Sequence, residues 1–353
     1  MQTSDDMRDQ GDVRVLDDIR VRDDARVPDG PRASDGPRAS ESPRASDDTR
    51  APDATRAGVG PEVLAGPGWV VPPVPQDVPE GGTAWLRARV ARFSSGGAHA
   101  RRRALAVGPL GGPDAADALR GAARARAAEL LHGPGTVEVM ARLAHVVPAE
   151  VLAGFLGLPV TDETAGPVGD VTRAYHAHGE AVPAADRAFA RLVTACGGTW
   201  DEATAARIGL LVQAYDATAG LIGNAAYLML AHAPEPLPGR DADPVIAGPA
   251  GPGADPVADW LDRTLRTDPP VRGTLRAPAD GGDPVRISLV APDGSPAFGA
   301  GAHACPGRAH ARALAAGVLD ALHARGCRLV RPDLVYEPSA NLRVPAALEV
   351  RCG

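Results

Sequence analysis

The stretch PAFGAGAHACPGRAHARALAAGVLDAL, Pro296 to Leu322, constrains this 353-residue chain more than any other. A glycine-rich turn runs into an alanine-rich helical pattern, and Cys305, one of four cysteines, stands at the junction. Apolar residues recur at Ala311, Leu314, Ala315, Val318 and Leu322, the spacing of one helix face, and Gly326 is placed to end it. Pro306 suits a first helical position, which puts Cys305 at or near the N-cap. There, free backbone N–H groups and the positive end of the helix dipole favour a thiolate and lower its pKa. Gly299 and Gly301 clear side chains where something large and flat could lie against the backbone. As a zinc ligand Cys305 lacks partners at usable spacing. As a nucleophile it has no base assigned to it. A deprotonated sulfur presented to a bulky metal cofactor fits the pattern better than either.

Composition excludes several classes. All 37 basic residues are arginine, and the net charge of −7 argues against a general nucleic-acid binder. The most apolar run, IGLLVQAYDATAGLIGNAAYLML, is interrupted by Gln213, Asp216 and Asn224, which a membrane span would not normally tolerate. The start MQTSDDMRDQ has no apolar core of a secretory signal. A cytoplasmic protein without a membrane anchor is expected. Cys196, Cys305, Cys327 and Cys352 form no CxxC pair and do not read as a disulfide scaffold; Cys196, Cys327 and Cys352 are expected as structural or exposed thiols.

Arginine recurs every six residues from Arg8 to Arg56, in units such as DGPRAS, ESPRAS and DATRAG. Mixed charge with Pro, Gly and Ser buries too little apolar surface to offset ordering entropy. Residues 1–57 are therefore expected to form a disordered low-complexity tail, and residues 58–353 the folded domain. That domain reads as mainly α with minor β. TAWLRARVARF and AHARRRALAV are helical patterns separated by SSGG. TVEVMARLAHVVPAEVLAGFLGLP reads as one or two buried helices interrupted near Pro148. The longest helix should run from Asp201 to Pro234. VADWLDRTLRTD is another, followed by short strands at VRISLV, CRLVRP, LVYEP and AALEVRC.

The run Phe298, Gly299, Gly301, His303, Cys305 and Gly307 matches without a gap the haem-binding signature of the cytochrome P450 family, which the chain resembles from about residue 60 to its end. The resemblance implies a P450 fold, haem b as cofactor and Cys305 as the thiolate ligand of its iron. Phe298 would shield the sulfur and His303 would meet a haem propionate. GGAHARRRAL resembles the helix whose His and Arg bind propionates, here His99 and Arg103. TDPPVRGTLRAP resembles the Pro-Pro-Val segment that supplies another such arginine, here Arg276. YEPSANLRVPAALEV resembles the family's closing β-hairpin.

In the long helix, LIGNA fixes the register against the family. Gln213, Asp216, Ala217 and Gly220 should share a face. Asp216 stands at the acid position of the proton relay, Ala217 replaces the usual threonine, and Thr218 lies one residue late, about 100° around the helix. Gln213, Asp216 and Thr218 are the catalytic candidates, with water or a substrate hydroxyl in place of the missing threonine. Two further departures stand out. The family's Glu-x-x-Arg pair falls on Arg263 and Arg266, with Asp262 one position off. The N-terminal sheet and part of the loop before the cysteine are missing.

By resemblance, the chain is a haem-thiolate monooxygenase that hydroxylates or cross-links a small-molecule or peptide biosynthetic intermediate, free or carrier-bound. Electrons would come from NAD(P)H through redox partners, with a ferredoxin docking at Arg101, Arg102 and Arg308. The alternative is a non-catalytic or degenerate P450-like accessory protein that binds a partner enzyme or a carrier-bound substrate.

Overall fold

The computed structural model describes residues 60–112, 114–176, 182–232 and 255–353. The hexad segment, the boundary expected at residue 57 and most of the Pro/Gly/Asp-rich loop lie outside the described residues. Within the described residues are nine α-helices and six short strands.

The longest helix, α7 (Glu202–Ala231), begins where Asp201 accepts the Thr204 N–H at 2.7 Å. Such a cap contributes about 1 kcal/mol. Buried residues run from Thr204 to Met229 on more than one face, so α7 passes through the core rather than over it. Around it pack α2 (Gly96–Val107), α4 (Val146–Phe155), α5 (Ala165–His176), α8 (Pro256–Thr267) and α9 (Arg308–Ala324). Small residues permit close approach. A Cβ on Gly220 would meet the Arg343 carbonyl and Pro270 at 2.9 Å, and one on Gly223 would meet Met140 and Pro345.

Helix α9 lies along α3 (Ala115–Leu130) with Gly317 against backbone: a Cβ there would collide with the Arg120 carbonyl and approach Ala123 Cβ at 2.8 Å. Arg120 spans the same junction, bonding Asp320 of α9 at 2.7 and 2.9 Å and also Asp255, the N-cap of α8. Arg312 of α9 pairs with Asp262 of α8. At the other end of the core, Glu202 bonds Arg101 at 2.7 and 2.9 Å and Arg102 at 2.8 Å, which ties α2 to the start of α7.

Two small antiparallel sheets flank the helices. In one, β1 (Trp69–Val70) pairs with β3 (Gly273–Pro278), and β3 with β4 (Val285–Ser288). The two residues of β1 are all that stands at the N-terminal side of this sheet among the described residues. In the other, β6 (Glu349–Cys352) lies between β2 (Gly135–Glu138) and β5 (Arg328–Leu329).

Local differences from the sequence reading have physical causes. The helix expected over 83–93 stops as α1 (Thr83–Arg89), because Val90 turns extended and inserts against Gly209 of α7; a 3-10 turn, Ala91–Phe93, follows. Gly135–Glu138 is strand, held by β6, and the helical stretch after it breaks at His145 rather than Pro148. Pro148 sits in the first turn of α4, where its missing N–H costs nothing. Cys327 and Cys352, expected as thiols, form a disulfide that joins the end of α9 to β6. No helix among the described residues is long and apolar enough to cross a membrane.

Gly317→Ala gains helix propensity of up to about 1 kcal/mol but drives a methyl into the backbone of α3, and overpacking of this kind costs about 1–3 kcal/mol. The variant should melt below the parent in a thermal scan; a higher melting temperature would show that α3 and α9 can separate freely.

Candidate functional site

The segment before α9 is wound tightly. Gly299 N–H donates to the Pro296 carbonyl at 2.7 Å, a 3-10 turn covers Gly301–His303, and Cys305 N–H donates to the Phe298 carbonyl at 2.8 Å. Gly299 and Gly301 hold φ of 68° and 66°, where side chains are strained. The space at Gly301 is already taken: a Cβ would meet the Leu64 carbonyl at 2.5 Å and Ala65 Cα at 2.8 Å. That glycine serves the turn and the N-terminal segment packed on it, not room for a cofactor.

Helix α9 starts at Arg308 with Gly307 as its N-cap, so Cys305 lies two residues outside the cap rather than on it. The Cys305 sulfur still receives the Gly307 N–H. It is exposed, yet desolvation by surrounding protein pushes its thiol above the ordinary value. The expected net lowering is thus reversed; Gly307, Arg103, Arg92 and Arg308 pull in the lowering direction without prevailing. Phe298 is half-buried beside it, with the Arg308 guanidinium 5.4 Å from its ring.

Around this loop the chain gathers positive charge from three distant segments. His99 of α2 is buried, its ring centroid 4.1 Å from that of His303, and its Nε2 has no hydrogen-bond partner. Arg276 of β3 is buried, and among the described residues its guanidinium bonds only to Thr274 Oγ1 and the Leu275 carbonyl. Arg103 acts electrostatically on His99, His303 and Cys305. Burial, then His99, Arg276 and Arg103, bring His303 down to about 4. Arg92, in the 3-10 turn after α1, acts on both Arg276 and Cys305. Sequence reading missed Arg92, because it read that residue as part of a continuous helix. Among the described residues, no carboxylate pairs with Arg92, Arg103 or Arg276. Three guanidiniums without a carboxylate partner, with His99 Nε2 buried and unbonded among them, call for an anionic ligand. A haem, with its two carboxylates beside an accessible sulfur, fits that demand.

On α7, Gln213, Asp216 and Ala217 form a half-buried strip, as the periodicity predicted. Gln213 Nε2 donates back to the Gly209 carbonyl at 2.8 Å. Gly220 does not join them, since Pro270, Arg343 and Val344 cover it. Thr218 is buried on another side, its hydroxyl without a partner. Arg102, expected to face a redox partner, is buried against Glu202 and Ser94. Arg101 is outward but engaged by Glu202, while Arg308 is exposed. Arg266 is exposed and Arg263 lies over Trp260. A cavity of about 110 Å³ sits elsewhere, lined by Asn224, Tyr227, Thr264 and Asp268 among others, and contains none of these candidates.

His303 is neutral in the folded chain down to about 4, whereas an unfolded imidazole takes up its proton near 6.5. Between those values the unfolded state binds more protons, so stability falls as the pH drops from 6.5 towards 4. In the haem-free chain, His303→Gln should shrink the loss in urea midpoint between pH 7 and pH 5. An undiminished loss would place the responsible proton elsewhere.

No protein-family model matches the chain, and no curated protein is similar to it in sequence. Solved structures are similar in fold. The myxobacterial cytochrome P450 CYP267B1 in complex with myristic acid superposes with a TM-score of 0.62 at 20% identity, over 83% of this chain and 87% of that one. P450BioI in complex with acyl carrier protein ligated to hexadec-9Z-enoic acid gives 0.61 at 17%, over 82% and 89%. Mycobacterium smegmatis CYP164A2 gives 0.58 at 22%, over 82% and 88%. With α7 through the core, a cysteine loop ahead of α9 and two small sheets at the flanks, the chain has the cytochrome P450 fold in a shortened form.

Proposed function

We propose that this chain is a haem-thiolate monooxygenase acting on a small-molecule or peptide intermediate. The observation that carries the reading is the uncompensated positive charge of Arg92, Arg103 and Arg276, with His99 Nε2, gathered beside the accessible Cys305 sulfur. Cys305 would ligate the iron; His99, Arg103, Arg276, Arg92 and His303 would take the propionates. Bound there, thiolate-ligated haem supplies dioxygen activation.

The remaining work belongs to the chain. The Gly307 N–H donates to the cysteine sulfur and steadies its charge. Phe298, whose carbonyl accepts the Cys305 N–H, would cover one side of that sulfur. Asp216 and Gln213 offer a carboxylate and an amide on the half-buried strip of α7, where protons must be handed inward without the usual threonine. Thr218, on another side of α7, is left out of that route. Arg308, exposed beside the cysteine loop, suits docking of an acidic ferredoxin that passes on electrons from NAD(P)H. The acyl-carrier-protein complex of P450BioI makes carrier-bound substrates worth including in a screen.

The accessory reading draws on the missing brace at Arg263 and Arg266. Against it, α8 and α9 remain tied by Asp262 with Arg312 and by Arg120 with Asp255 and Asp320.

Reduced protein under carbon monoxide should show the red-shifted Soret band of a thiolate-ligated haem, absent in Cys305→Ala. Arg276→Ala and His99→Ala should retain less haem after gel filtration. A wild-type chain that takes up no haem on reconstitution would overturn the proposal in favour of an accessory protein.

A further inference from the structure

Between β2 and α4 the chain makes a π-helical turn, Met140–Ala144, a form that concentrates at functional sites. Its start is fixed by Glu138, whose carboxylate accepts the N–H groups of Met140 at 3.1 Å, Ala141 at 2.5 Å and Leu348 at 2.8 Å. Its end is His145. The Met140 carbonyl accepts both the His145 backbone N–H at 3.1 Å and the His145 ring Nδ1 at 3.0 Å. A carbonyl only accepts, so Nδ1 carries a hydrogen. The ring also stacks on Tyr215 of α7, centroids 4.8 Å apart. Held in this way, it aims Nε2 at Asp216 Oδ1, 3.6 Å away.

With Nδ1 committed, a neutral ring would present the Nε2 lone pair to a carboxylate, which is repulsive. The arrangement is favourable only when the pair carries one further proton, on Nε2 or on Asp216. We propose that His145 is the proton reservoir for Asp216. This deepens the monooxygenase reading, on which the use of that proton rests. His145 Nε2 gives its proton to Asp216 Oδ1, directly after a small closure or through one bridging water. The ring is left neutral with its hydrogen on Nδ1, and solvent returns a proton to Nε2. Both side chains are about one-fifth exposed, so water reaches the pair while most of it stays covered. Other polar or charged groups near this corner, among the described residues, are Gln213 and Tyr215 of α7 and, on α5, Arg173 and Asp170, which pair with each other. This pairing accounts for a chain that keeps the acid on α7 without the neighbouring hydroxyl.

Two measurements test it. In ¹⁵N NMR of the histidine-labelled, haem-free chain, Nδ1 of His145 should be protonated, and Asp216→Asn should move the Nε2 resonance but not that of Nδ1. Hydrogen on Nε2 alone, or an Nε2 signal indifferent to Asp216→Asn, overturns the pairing whether or not haem binds. In the loaded enzyme, His145→Asn keeps a donor for Met140 and removes Nε2, and His145→Gln keeps a polar group that cannot carry the proton. Both should fold with unchanged haem content, lose product per electron pair at least tenfold, release the difference as hydrogen peroxide, and change the solvent deuterium isotope effect on turnover. Unchanged coupling and isotope effect in both variants would reduce His145 to a structural residue. Failure of the parent chain to load haem would instead count against the monooxygenase reading and leave the NMR result to decide the pair.

Discussion

The burial of α7 on most of its circumference is the constraint on which the rest of the structure depends. A helix so covered must be apolar or small nearly everywhere, and its neighbours must fit against backbone where its glycines lie. Gly209 receives Val90, Gly220 receives the Pro270 and Arg343 segments, and Gly223 receives Met140 and Pro345. Each contact fixes a different part of the chain relative to one axis. The insertion of Val90 ends α1 and throws Arg92 towards the cysteine loop. Met140, packed on Gly223, opens the turn that carries His145 back to Asp216. The same few holes in α7 thereby set the position of Arg92 near Cys305 and of His145 near Asp216.

The charges themselves are arranged for something other than stability. Arg276 is buried, and burying a cation without counter-charge is costly; His99 is buried with its Nε2 unpartnered. Two guanidiniums away from the site are met by acids: Arg102 by Glu202, with Ser94 beside it, and Arg120, partly covered, by two aspartates. Glu202 is held near 2 by its two arginines, the mark of a closed ion-pair network. The contrast between these paired arginines and the unpaired group beside Cys305 separates the scaffold from the site.

Much of this was legible in the sequence, and what was not has physical reasons. The spacing from Phe298 to Gly307 placed the cysteine loop, and the cap at Asp201 placed the start of α7, because both depend on local backbone geometry. His99, Arg103 and Arg276 were found from short motifs and do lie around His303. Arg92 and His145 were invisible, since each owes its position to a break in a helix caused by a tertiary contact. Arg102 was assigned to a docking surface by charge complementarity; only the fold reveals that it is buried against Glu202 and Ser94. The Cys327–Cys352 disulfide likewise depends on β6 returning beside the end of α9.

The packing of Leu64 and Ala65 on Gly301 bears on how the molecule is made. The cysteine loop is closed on one side by a segment from the opposite end of the described chain, so this contact forms only after nearly all of the domain has left the ribosome. Contacts of such long sequence separation are entropically late events in folding. The loop that carries Cys305 would therefore be among the last parts of the described domain to set.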